Sequence, residues 1–121
     1  MEQRYRERLL AAGIDVEGAL GRFMGNEALL ERFLRKFPQD ENYSRLREAV
    51  AAGDREGALR AAHTLKGVCG NLSMTALFAL LARQVELFRA GEWEQACALL
   101  EEIAPAYQAV AEAVCPPEGR G

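Results

Sequence analysis

His63 is the single histidine in a chain of 121 residues, and its neighbours are spaced as a site would be. Lys66 follows three positions later, Gly67 four and Gly70 seven. On a helix advancing by ~100° per residue, Ala58, Ala61, Ala62, Leu65, Cys69 and Leu72 gather on one side as a core face. His63, Lys66, Gly67 and Gly70 gather on the opposite side, with Leu59 beside them. The imidazole is therefore expected to point outward. A glycine inside a helix costs about 1 kcal/mol relative to alanine, and on a solvent face no helix of the same chain should need the room. Two absent Cβ atoms beside an exposed imidazole leave a shallow saddle for something from outside. An imidazole in water titrates near ~6.5, so at pH 7 it is mostly neutral and nucleophilic at a ring nitrogen. A lysine one turn away can balance the charge of a phosphoryl group attached there. The chemistry these residue types suit is phosphoryl transfer onto and off histidine by in-line displacement. A lone surface histidine is usually inert, and a helical glycine can simply mark a bend. The joint arrangement on one face is what separates this helix from that case.

Further residues could join the site. If the histidine helix and the next one run antiparallel about residue 73, Gln84 lies near the level of His63 and could hydrogen-bond the imidazole or a phosphoryl group. The alternative is a polar residue at the seam reaching solvent. Arg83 and Arg89 could contact the phosphate or an acidic partner site, or could be solubilising charges. Leu59 and Val68 are candidates for the apolar rim of a docking surface, although Val68 fits the core equally well. Trp93, Tyr107 and the phenylalanines fit the core.

The elements that must position these residues are all helical in pattern. Alanine, leucine and glutamate supply 52 of the residues, and valine, isoleucine and threonine only 10, which favours helix and leaves little for a sheet. Residues 4–11 form a short helix with Tyr5, Leu9 and Leu10 as its apolar face. Asp15 caps a second, carrying Val16, Ala19, Leu20 and Phe23, and Gly25-Asn26 ends it. A third opens near Glu27, with Leu29, Leu30, Phe33, Leu34 and Phe37 as a core stripe, and Pro38 must kink or break it. The pattern resumes near Glu41 with Tyr43, Leu46 and Val50, and closes at Gly53. Asp54 caps the histidine helix, about 55–72. Ser73 is expected to cap the next, about 74–89, and a last helix covers about 92–113 with a bend at Pro105. The fold class is all-α: an antiparallel up-and-down four-helix bundle with short additional N-terminal helices. Residues 1–115 form one domain, and 116–121 read as a disordered tail.

Composition removes several function classes. The net charge is -3, the pI is near 5.3, and basic residues never form a stripe, which disfavours nucleic acid as a partner. The longest near-apolar stretch, Met74 to Leu81, is too short to span a bilayer, and the N-terminus carries no signal-peptide core. A cytoplasmic protein is the expectation. Cys69, Cys97 and Cys115 are odd in number and widely spaced, so they form neither a disulfide framework nor a metal knuckle. Cys69 and Cys97 are expected to act as small buried hydrophobes, with Cys115 exposed near the end.

The run Ala62-His63-Thr64-Leu65-Lys66-Gly67-Val68-Cys69-Gly70-Asn71-Leu72 resembles the signature of the histidine-containing phosphotransfer (HPt) domains of bacterial multistep phosphorelays. Gly13-Ile14-Asp15, Ala19-Leu20, Gly25, the Phe33/Phe37 region and Gly53-Asp54 extend the likeness over roughly residues 10–110. One departure is Ser73-Met74, where the family more often has small residues. The resemblance implies a four-helix bundle in which His63 accepts and donates the phosphoryl group. It implies that Lys66 steadies the phosphoryl oxygens, and that Gly67 and Gly70 let a receiver domain dock. The partners would be response-regulator receivers and a hybrid sensor histidine kinase, and the chain would act as a monomer. The receiver would bring the aspartate and the Mg²⁺, so this chain would need no cofactor of its own and no kinase activity.

Two other readings remain. A non-catalytic helical module could bind a receiver or another protein without transfer. The dimerisation and phosphoacceptor domain of a histidine kinase is a third, disfavoured by the absence of an ATP-binding domain and by a monomer pattern of about six helices. The initial methionine and loose tail suggest an independent protein over a domain of a hybrid kinase.

Overall fold

The structure is a computed structural model and describes residues 1–115; the expected tail at 116–121 lies outside the described residues. Those residues form eight α-helices and one 3-10 turn, with no strand among them. The helices are α1 (Gln3–Ala11), α2 (Val16–Arg22), α3 (Glu27–Lys36), α4 (Asn42–Ala52), α5 (Arg55–Asn71), α6 (Thr75–Arg89), α7 (Trp93–Ala98) and α8 (Leu100–Val114).

Local chemistry sets most of these boundaries. Asp15, Asn26 and Asp54 each accept a hydrogen bond at 3.0 Å from the backbone N–H three residues on, satisfying a donor that a helix start leaves open. Pro38 sits at the opening of the 3-10 turn Phe37–Gln39, where its missing N–H costs nothing. Asp40 then turns the chain into α4 by accepting from the Asn42 N–H at 2.8 Å and its side-chain amide at 2.9 Å.

Helices α4, α5, α6 and α8 form the bundle, with α5 packed between α4 and α6 and with α8 against α6. Leu46, Leu65, Cys69, Leu77, Leu81, Ile103 and Val110 fill its interior. Tyr107 on α8 stacks on Tyr43 of α4, with ring centroids 3.9 Å apart and planes within 10°. Helices α1 and α3 pack on α8. The Tyr5 hydroxyl donates to the Val114 carbonyl at 2.7 Å, and burial pushes its pKa up to about 12, so it stays a donor at neutral pH. Arg8 donates to the Ala113 carbonyl at 3.1 Å, placing a cation on the negative end of α8.

Four expectations need correction. The last helix is two: α7 ends at Ala98, Leu99 turns, and α8 restarts at Leu100 with Pro105 inside it. Pro105 withholds a donor from the Glu101 carbonyl and crowds it, and the interruption falls just upstream. Phe33 is 42 % exposed, lying against Phe23 with centroids 5.3 Å apart, so only Leu30, Leu34 and Phe37 of the α3 stripe are buried. Cys97 is half-buried, unlike Cys69.

Ser73 is the fourth. It does not cap α6; Met74 holds that position without a side-chain bond. Ser73 instead closes α5 in a left-handed conformation, φ 54°. Its N–H donates to the Gly70 carbonyl at 3.2 Å, and the Met74 N–H donates to Cys69 at 2.9 Å. This is a Schellman closure, normally built on glycine. A Cβ in that conformation costs ~1–2 kcal/mol, partly offset by the greater freedom of unfolded glycine. Ser73→Gly is therefore expected to raise unfolding free energy by about 0.5–1 kcal/mol, read as a higher urea midpoint at unchanged slope.

The thiols give a further expected result. Burial pushes the Cys69 pKa up to about 12, so it is neither accessible nor ionised in the folded chain. Timed iodoacetamide labelling of native protein should modify exposed Cys115 first and Cys69 only on unfolding; early labelling of Cys69 would contradict this core.

Candidate functional site

Helix α5 carries the site. Asp54 fixes its start, and the Schellman closure at Ser73 fixes its end. Between them Ala58, Ala61, Ala62, Leu65 and Cys69 are buried against the neighbouring helices. The small alanines let α4 and α6 approach closely on both sides. His63, midway along, is exposed, as are Thr64 and Gly67; Leu59, Lys66, Val68 and Gly70 are half-buried. The outward histidine face read from the sequence is present.

His63 lies in an open concavity of about 340 Å³ lined by Glu56, Leu59, Arg60, Thr64 and, from α6, Arg89. Arg89 thus lines the same concavity as His63 from across the α5–α6 seam, as the antiparallel register allows. Arg83 is exposed on α6 and is not part of this lining. Lys66 lies on the far side of His63 from Arg60 along the helix and does not line the concavity either. Arg60, Glu56 and Thr64 were not singled out by the sequence pattern. Arg60 was visible in principle, since three positions before His63 is the same face of the helix.

The two glycines part company. A Cβ at Gly67 would meet nothing within 4 Å, so no packing contact among the described residues accounts for it. A Cβ at Gly70 would stand 3.1 Å from the Phe78 ring of α6. Contrary to the expectation that no helix of this chain needs the space, Gly70 is required in part by Phe78. The room at Gly67 alone faces open solvent.

Gln84 is also corrected. It is fully buried, and its side-chain nitrogen donates to the Ala96 carbonyl at 2.9 Å. Its amide ties α6 to α7 and does not reach the surface where His63 stands. Its Oε1 has no partner. Leu59, half-buried, lines the concavity beside His63. Among the described residues, no group of three or more His, Cys, Asp or Glu side chains could hold a metal ion.

The helix that carries this solvent-facing histidine falls within the range matched by a known family. The family model described as "Hpt domain" matches residues 28–113. The chain belongs to the Hpt domain family. The match runs from α3 into α8, so it takes in the histidine helix and leaves α1 and α2 outside. No curated protein and no solved structure matches the chain. Hpt domains serve histidine phosphotransfer in phosphorelays and interact with receiver domains and kinases. In this Hpt domain no described helix is long and apolar enough to cross a membrane.

Proposed function

We propose that this Hpt domain accepts a phosphoryl group on His63 from the aspartyl phosphate of one receiver and passes it to the aspartate of another. The observation that carries the reading is the exposed imidazole beside a glycine that leaves the docking side open. A ring nitrogen of neutral His63 donates its lone pair to phosphorus as the P–O bond to the receiver's carboxylate breaks. The carboxylate leaves with the bonding electrons, and the ring is left N-phosphorylated, its remaining N–H free to lose a proton to water. Onward transfer reverses the sequence with a new carboxylate as nucleophile. Lys66, one turn on, supplies positive charge to the phosphoryl oxygens. The receiver brings the aspartate and Mg²⁺, and a hybrid sensor kinase feeds the relay in a bacterial cytoplasm. The chain supplies a nucleophile, charge and a shaped surface.

The test is the chemical character of the label. Incubated with a receiver carrying ³²P on its aspartate, the chain should take up phosphate that acid releases and alkali leaves in place. Acid-stable label would contradict a phosphohistidine. Tight receiver binding with no label would favour the non-catalytic interaction module.

A further inference from the structure

The concavity around His63 holds more charge than the acceptor reading uses. Arg60 and Arg89 enter it from two helices, and Glu56 enters it one helical turn before Arg60. None of the ion pairs formed among the described residues involves Arg60, Arg89, Glu56 or Lys66. Two guanidinium groups outside these ion pairs therefore stand around a nucleophile, on the side away from Lys66. We infer that Arg60 and Arg89 hold the phosphoryl group on His63 from two sides, and that Glu56 keeps this hold loose enough for the group to leave.

The inference rests on His63 being the acceptor. Its physical basis is the shape of the guanidinium group. A phosphoryl group carries up to two negative charges near neutral pH and three acceptor oxygens. Arginine presents planar paired donors that match two such oxygens at once, whereas lysine offers a point charge. One arginine on α5 and one on α6 can engage oxygens on different sides of phosphorus, leaving the outer face open for in-line approach by the receiver. In the transition state charge spreads over those same oxygens, so donors already in place stabilise it without reorganisation. Two arginines unopposed would hold a phosphorylated imidazole firmly and slow its discharge. The Glu56 carboxylate in the same lining repels the phosphoryl oxygens and competes for the guanidinium groups, which opposes that trap.

The three side chains therefore have signatures of opposite sign. The test uses the full chain, a phosphorylated receiver as one donor and phosphoramidate as a small donor that needs no docking. Arg60→Gln and Arg89→Gln should each lower the rate constant at saturating receiver by about tenfold. Their receiver affinity should stay within about twofold, and labelling by phosphoramidate should fall in parallel. Arg60→Lys should recover part of the loss. Glu56→Gln should do the reverse, lengthening the lifetime of phospho-His63 and slowing onward transfer by about threefold. All these residues are exposed, and unchanged melting curves check that the variants fold. If both arginine variants match the wild type while His63→Gln is inactive, the cradle is wrong and the acceptor stands. If the wild type takes phosphate from neither donor, the acceptor reading falls and the cradle with it.

Discussion

Replacing Gly67 with leucine should make the protein more stable and yet slow receiver-dependent phosphotransfer about a hundredfold. The two effects have separate causes. In a helix interior leucine is favoured over glycine by ~0.8 kcal/mol, and at this position a new Cβ meets nothing within 4 Å, so the fold gains. The same side chain stands one turn from His63 on the solvent face, where under the proposed function a receiver's aspartyl phosphate comes into line with the imidazole. Displacing that approach by an ångström or more is enough to cost ~100-fold. Urea unfolding and single-turnover transfer on the same sample read both. Gly70→Leu is the contrast: its Cβ would start 3.1 Å from the Phe78 ring, so it should lose stability. A Gly67→Leu protein with higher stability and undiminished transfer would show that no partner docks on this face.

Gly13→Val should cost about 3 kcal/mol, the largest stability loss expected here from a residue outside the matched Hpt region. Gly13 has φ +84°, where a Cβ costs ~1–2 kcal/mol, and its Cβ would lie 2.6 Å from the Cβ of Ala76, an overpacking clash of ~1–3 kcal/mol. The position matters because Gly13 and its neighbours clasp the α5–α6 turn. The Gly13 carbonyl accepts from the Ala76 N–H at 3.2 Å and the Thr75 hydroxyl at 3.1 Å, while the Asp15 N–H donates to the Ser73 carbonyl at 2.8 Å. The linker between α1 and α2 thus braces the end of the histidine helix. A fall in the urea midpoint at constant slope is the expected reading; a change below about 0.5 kcal/mol would mean that the clasp contributes nothing.

Much of this arrangement was legible because one helix dictates it. The 3.6-residue period of Ala58, Ala61, Ala62, Leu65 and Cys69 fixes which way α5 faces, and His63 and Gly67 follow from that without knowledge of any neighbour. What was not legible depends on a second helix. Gly70 looked free because Phe78 comes from α6, and the sequence of α5 cannot show it. Gln84 looked like a partner of the imidazole because helical register sets its level but not whether α7 covers it. Arg89 rather than Arg83 lines the concavity for the same reason: the angle at which α6 crosses α5 decides, and spacing does not encode it. Ser73 looked like a cap because serine favours that position, yet the α5 closure took it first. Phe33 belonged to an apolar stripe five residues strong, but α3 rests on α8 along only part of that width.

The central claim is that His63 is the residue phosphorylated, and one comparison tests it most directly. Wild-type chain and the His63→Gln variant are exposed to the same phosphorylated receiver, and the modified residue is located by tandem mass spectrometry under neutral conditions. Because the side chain is exposed, the variant should fold as the wild type does. Phosphate on the His63 imidazole of the wild type, with none on the variant, is the predicted result. Phosphate acquired by the variant at the wild-type rate, or found on another residue of the wild type, would contradict it.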